Sequence, residues 1–98
     1  MATKAYQYTF DTSVDFGDAE DTLLLAVVAA EGVHGEARVR LDGTYDVDRR
    51  TRSVRVDADT AVGRDINRIF SNFLLREFGR GAFAVERVEG GTLAGAAR

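Results

Sequence analysis

From Tyr6 to Phe16 the even positions carry Tyr6, Tyr8, Phe10, Thr12, Val14 and Phe16, and the odd ones Gln7, Thr9, Asp11, Ser13 and Asp15. A repeat of two predicts a half-buried strand, because successive side chains leave opposite faces. Gly17 and Asp18 break the alternation. Asp18, Glu20 and Asp21 then place acids where a helix N-terminus favours them, ahead of the apolar run from Leu23 to Ala30. The reading is a first helix that ends near Glu31 with Gly32 as its stop. At about 100° per residue, Leu24, Val27 and Val28 take the core side, and Leu25 and Ala29 lie well round toward the other.

A regular alternation follows, with Ala37, Val39, Leu41, Gly43, Tyr45 and Val47 on one side and Glu36, Arg38, Arg40, Asp42, Thr44 and Asp46 on the other. It predicts a long strand with one wet face, a turn over Asp48 to Thr51, and a returning strand through Val54, Val56 and Ala58. If Arg49 and Arg50 form a two-residue loop, Tyr45 falls opposite Val54 and Gly43 opposite Val56. Asp59 or Thr60 caps a second helix whose stripe is Val62, Ile66, Ile69, Phe70, Phe73 and Leu74, with Gly79 at its end. Ala82 to Val88 supplies a last strand, with Phe83 and Val85 on one side.

The order strand, helix, strand, strand, helix, strand predicts an α+β domain. Right-handed crossovers favour the ferredoxin-like βαββαβ sandwich: an antiparallel sheet of order 4-1-3-2 with both helices on one face. The opposite face, with Thr9, Asp11, Arg38, Arg40, Asp42, Arg55 and Asp57, is expected to be solvated and laced with cross-strand ion pairs. Residues 1–89 make one domain, and the Gly- and Ala-rich segment 90–98 has too little to bury and is expected to be a loose tail.

Composition narrows the function more by exclusion than by assignment. The 98 residues are 45% hydrophobic and 30% charged, the balance of a folded globular domain. Sixteen acids against 13 bases give a net charge of −3, with no clustered positive stretch of the kind that nucleic-acid binding needs. The absence of cysteine excludes disulfides, thiolate catalysis and cysteine-ligated zinc, and with the polar start of the chain it leads us to expect a cytoplasmic protein. The apolar run of Leu23 to Ala30 is far short of the ~20 residues that cross a bilayer.

The candidate chemistry is sparse. His34 is the only histidine and sits in a Gly-Val-His-Gly segment, which reads as an exposed loop with no triad partner. Asp11, Asp15, Asp18, Glu20 and Asp21 form the densest charge, and carboxylate oxygens suit hard cations, but helix capping and the nearby Arg49, Arg50 and Arg52 account for them. Acylphosphatases share the expected topology but carry an arginine-containing phosphate cradle after the first strand, where this chain has Val14-Asp15-Phe16-Gly17-Asp18. Asp15 and Gly17 ahead of the first helix resemble amino-acid-binding ACT domains. That resemblance implies a regulatory domain taking a small ligand or cation near Asp15, Asp18 and Asp21.

The first helix weighs more, because it is apolar nearly all round, whereas a helix covering a sheet usually has a polar back. The second helix has such a back in Arg64, Arg68, Ser71 and Asn72, interrupted by Leu75. Leu25, Ala29, Leu75, Arg64 and Arg68 are therefore the expected interface residues. The expectation is a non-enzymatic module with a homodimer or other protein partner, no cofactor, no metal, and no nucleic-acid or membrane partner. The alternative is an ACT-like regulatory domain that binds a small ligand or a cation.

Overall fold

Strand β1 (Lys4–Phe10) opens the computed structural model, which describes residues 4–89. The tail expected over 90–98 lies outside the described residues. Tyr8 and Phe10 are buried and Tyr6 half-buried on one face of β1, as the period-two pattern requires. Asp15 caps the next element, helix α1 (Phe16–His34), its carboxylate accepting from the Gly17 N–H at 2.8 Å.

Helix α1 runs through Gly32 and ends three residues later at Gly35, whose φ of +88° turns the chain out of the helix. A glycine inside a helix costs about 1 kcal/mol relative to alanine, too little to stop it. The phase of α1 also differs from expectation. Its buried face is Ala19, Thr22, Leu23, Ala26 and Ala30, while Leu24 is 51% exposed. Three consecutive leucines carry no phase of their own. The small side chains of Ala19, Ala26 and Ala30 are the ones that seal against the core, and they turn the helix so that Leu23 points inward.

The expected long second strand is corrected over most of its length. Glu36–Asp42 forms a short helix, α2, and only Tyr45–Asp48 is strand β2. Glu36, Ala37, Arg38, Arg40 and Leu41 are good helix formers, with Val39 the only β-branched residue in the segment. Glu36–Arg40 at 2.9 Å and Arg38–Asp42 at 3.4 Å pair four residues apart. Val39 alone is buried, and Leu41 is 76% exposed. The alternation of charged and apolar residues is thus also a helix's own charge pattern.

β2 pairs with β3 (Ser53–Asp57) across a four-residue loop, Arg49 to Arg52, rather than a two-residue one. Val47 consequently faces Val54 and Tyr45 faces Val56, a slip of two residues from the expected register. Helix α3 (Ala61–Phe78) is capped by Thr60, which accepts from the Gly63 N–H at 2.9 Å, and buries Val62, Ile66, Asn67, Phe70 and Leu74. Gly63 lies so close to β3 that a Cβ there would come within 2.2 Å of the Asp57 carbonyl oxygen. A 3-10 turn (Arg80–Ala82) leads into β4 (Phe83–Glu89).

The fold is α+β, with three helices and an antiparallel sheet of order β2-β3-β1-β4. Its core joins Tyr8 and Phe10 of β1 and Val54 and Val56 of β3 to Leu23, Ile66, Phe70, Leu74 and Val39 from the helices. Tyr8 and Phe70 meet edge to face at 4.8 Å. The expected ladder of cross-strand ion pairs is absent among the described residues. Arg38, Arg40, Glu36 and Asp42 pair along α2, and Arg55 donates to the Gln7 amide oxygen at 2.7 Å.

Candidate functional site

The outward face of α1 is the least polar surface of the helices. Leu24, Leu25 and Val28 are 51%, 60% and 60% exposed, and Ala29 is exposed beside them. At helical spacing these four residues cover the side opposite Leu23, Ala26 and Ala30. Asp18 and Asp21 stand at the N-terminal end of this face. Val33 and Leu41 add exposed apolar surface near the junction of α1 and α2.

The other expected interface residues lie elsewhere. Arg64, Arg68, Ser71 and Leu75 follow one another at spacings of four, three and four along a single face of α3. That face looks toward β4, where Tyr6, Tyr8, Arg64, Asn67, Arg68, Ser71 and Val85 line one depression of about 320 Å3. Lys4, Tyr6, Ala58, Asp59, Arg64 and Arg87 line a second of about 310 Å3 that shares Tyr6 and Arg64 with the first. The five residues therefore belong to two separate features, with Leu25 and Ala29 on α1, Arg64 and Arg68 lining the α3–β4 groove, and Leu75 exposed further along the same face of α3.

The acids before and within α1 are mostly engaged with the chain itself. Asp11 accepts from the Ser13 hydroxyl at 2.6 Å and from its N–H at 3.0 Å, and these bonds hold its carboxyl below the usual range. Asp15 is spent on the α1 cap, Asp18 sits in the first turn, and Glu20 pairs with Arg49 at 2.8 Å. This last pair places the β2–β3 loop beside the start of α1, as the topology predicts. Among the described residues no group of three or more histidine, aspartate or glutamate side chains is placed to hold a metal ion. Asp57, partly buried and close to Asp59 and Asp42, has its carboxyl pushed up, first by desolvation.

His34 is not in a loop. It is the last residue of α1, half-buried, with Nε2 2.8 Å from Asp65 Oδ2 on α3, and Asp65 also accepts from Arg68 at 3.3 Å. The Thr22 hydroxyl ties the other end of α1 to α3 by donating to Glu77 at 2.9 Å. Both contacts act as fasteners between the two helices, and neither brings a nucleophile to the imidazole.

Two residues have roles that the sequence did not reveal: Arg52, expected only as a neighbour of the acids, and Asn67. Arg52 takes a positive φ of +54° and donates to the carbonyls of Phe10 at 3.3 Å, Asp11 at 2.7 Å and Val14, with its guanidinium over the Phe16 ring. It clamps the β2–β3 loop to the segment between β1 and α1. Asn67 is a buried amide whose bonds to two strands and to its own helix are all satisfied.

No protein-family model, curated protein or solved structure matches the chain. Among the described residues no helix is long and apolar enough to cross a membrane.

Proposed function

We propose that the protein is a small non-enzymatic interaction module that self-associates through the outward face of α1. The observation that carries this reading is the exposure of Leu24, Leu25 and Val28 on one helix face. Contiguous exposed apolar surface of this kind marks contact sites, and fully burying a Leu or Val side chain is worth about 1.5–3 kcal/mol. A second copy is the simplest occupant, because a two-fold axis sets the same apolar patch against itself and needs no complementary charge. Arg64, Arg68 and Leu75 flank a different face and play no part in that contact.

The strand order read from the β4 edge is 4-1-3-2, with α1 and α3 packed into the core built on the same strands. This supports a ferredoxin-like reading of the fold in which α2 is added between the first helix and the second strand. The absence of cysteine supports a reducing compartment such as the cytoplasm. The alternative, a ligand or cation at Asp15, Asp18 and Asp21, has less behind it, because Asp15 is already committed to the helix cap.

Light scattering at rising concentration tests the self-association. The expected result is a dimer mass for the wild type and a monomer mass for Leu25→Asp with unchanged circular dichroism, because an interface core tolerates a desolvated charge poorly. A wild type that is still monomeric at about 1 mM, where even a weak dimer would show, overturns the proposal.

A further inference from the structure

The helices leave part of the sheet's inner face open. Val85 pairs with Tyr8 and Arg87 with Tyr6 across the β1–β4 ladder, so both stand on the side where the core is built. Val85 is nevertheless 46% exposed, and Tyr6 only half-buried. The gap between α3 and β4 is the pair of adjoining depressions, both lined by Tyr6 and the first also by Val85.

The rim of this groove is basic although the chain as a whole is acidic. Lys4, Arg64, Arg68 and Arg87 line it, against Asp59 as the one lining acid. Arg68 is paired with Asp65. Among the described residues Arg64 and Arg87 form no ion pair with a carboxylate, and Asp59 accepts from the Lys4 backbone N–H at 3.0 Å. The net charge of −3, which argues against extended polyanions, does not describe the field here. Guanidinium groups are planar, weakly hydrated forks suited to carboxylate and phosphate, and an apolar wall with a few polar groups is the usual make-up of a small-ligand site.

We infer that the α3–β4 groove binds a small aromatic oxyanion, with its anionic group between Arg64 and Arg87 and its flat apolar part against Tyr6 and Val85. Ser71 lies at the other end of the groove; its hydroxyl donates to the Arg68 carbonyl at 3.1 Å, which leaves its oxygen to accept from a donor substituent on the ring. The site is independent of the α1 face, so its fate and that of the self-association proposal are separable.

The test is an NMR titration of the full chain with benzoate, phenyl phosphate and inorganic phosphate, in ~0.15 M salt so that loose surface attraction is screened. The two aromatic anions are expected to bind with Kd of about 1 mM or tighter and to shift the amides of Tyr6, Arg64, Ser71, Val85 and Arg87. Benzoate binding alone would mark a carboxylate site and phenyl phosphate alone a phosphate site, and either supports the inference. Arg64→Ala, an exposed position on α3, is expected to weaken binding by about tenfold or more while the melting temperature stays put, and Arg64→Lys to restore it in part. Leu25→Asp is expected to leave binding unchanged. No saturable shifts with either aromatic anion, equal binding of inorganic phosphate, or an unaltered affinity in Arg64→Ala overturns the inference.

Discussion

The Tyr8 hydroxyl donates to Asn67 Oδ1 at 2.7 Å between two buried side chains, linking the central strand β1 to helix α3. The Asn67 amide nitrogen meanwhile donates to the carbonyls of Gly63 at 2.9 Å, Asp57 at 3.1 Å and Val56 at 3.4 Å. One side chain thus joins β1, β3 and its own helix. Asn67→Ala leaves the Tyr8 hydroxyl and the end of β3 without that partner and opens a small cavity, and is expected to cost about 2–4 kcal/mol. Tyr8→Phe removes one donor and keeps the packing, and should cost about 1 kcal/mol. Urea denaturation of the two variants and their double mutant checks the ranking and the coupling.

The same burial sets a pH dependence at the alkaline end. Desolvation pushes the Tyr8 phenol well above its ordinary value of 10.0, with the Tyr6 charge adding to the effect. In the unfolded chain Tyr8 loses its proton near pH 10 while in the folded protein it keeps it, so the folded state binds more protons there. Stability is therefore expected to fall as pH rises above 10, by up to about 1.4 kcal/mol per pH unit from this group. Tyr8→Phe should remove that slope from denaturation curves measured between about pH 9 and 11.

Neighbouring leucines of α1 should behave as opposites. Leu23→Asp buries an unpaired carboxylate in the core and is expected to unfold the domain, whereas Leu24→Asp points into solvent and should leave the circular dichroism native. A folded Leu23→Asp would place the core on another face of the helix.

Two phenylalanines on the same apolar stripe of α3 also differ. Phe70 is fully buried against Tyr8, and Phe70→Ala is expected to cost about 3–5 kcal/mol. Phe73 packs at the edge of the core and is only half-buried, so Phe73→Ala should cost roughly half as much. Denaturant midpoints measure both, and equal losses would show that the edge of the core is as dry as its centre.

Much of the architecture was legible because hydrophobic spacing reports directly on faces. The alternation of Tyr6, Tyr8 and Phe10 gave β1, and the 3,4 spacing of Val62, Ile66 and Phe70 gave α3. The phase of α1 was not legible, because leucines at three consecutive positions mark no face and the alanines that seal against the core look neutral in sequence. Over Glu36–Asp42 two signals coincided, alternating polarity and charge pairs four residues apart, and the second governs the structure. The roles of Asn67 and Arg52 were not legible for a shared reason, although Arg52 was expected near the acids it approaches. Each acts through long-range hydrogen bonds to backbone carbonyls, which have no sequence identity to detect. Of the surface, the apolar excess of α1 was visible, but the groove was not, since it arises only when α3 and β1 bring Arg64 to Arg87 and Lys4.

The β2–β3 hairpin shows what parity alone leaves undecided. Its loop is two residues longer than the shortest option, yet Val47 and Tyr45 still meet Val54 and Val56, because an even slip returns every side chain to its own face. Loop length in this hairpin is therefore an evolvable quantity in steps of two. Residues inserted or removed in pairs between Asp48 and Ser53 keep valine against valine, while a single insertion turns Tyr45 and Val47 outward and the aspartates inward. Whatever recognition the loop acquires through its arginines can be lengthened in that increment without renegotiating the sheet.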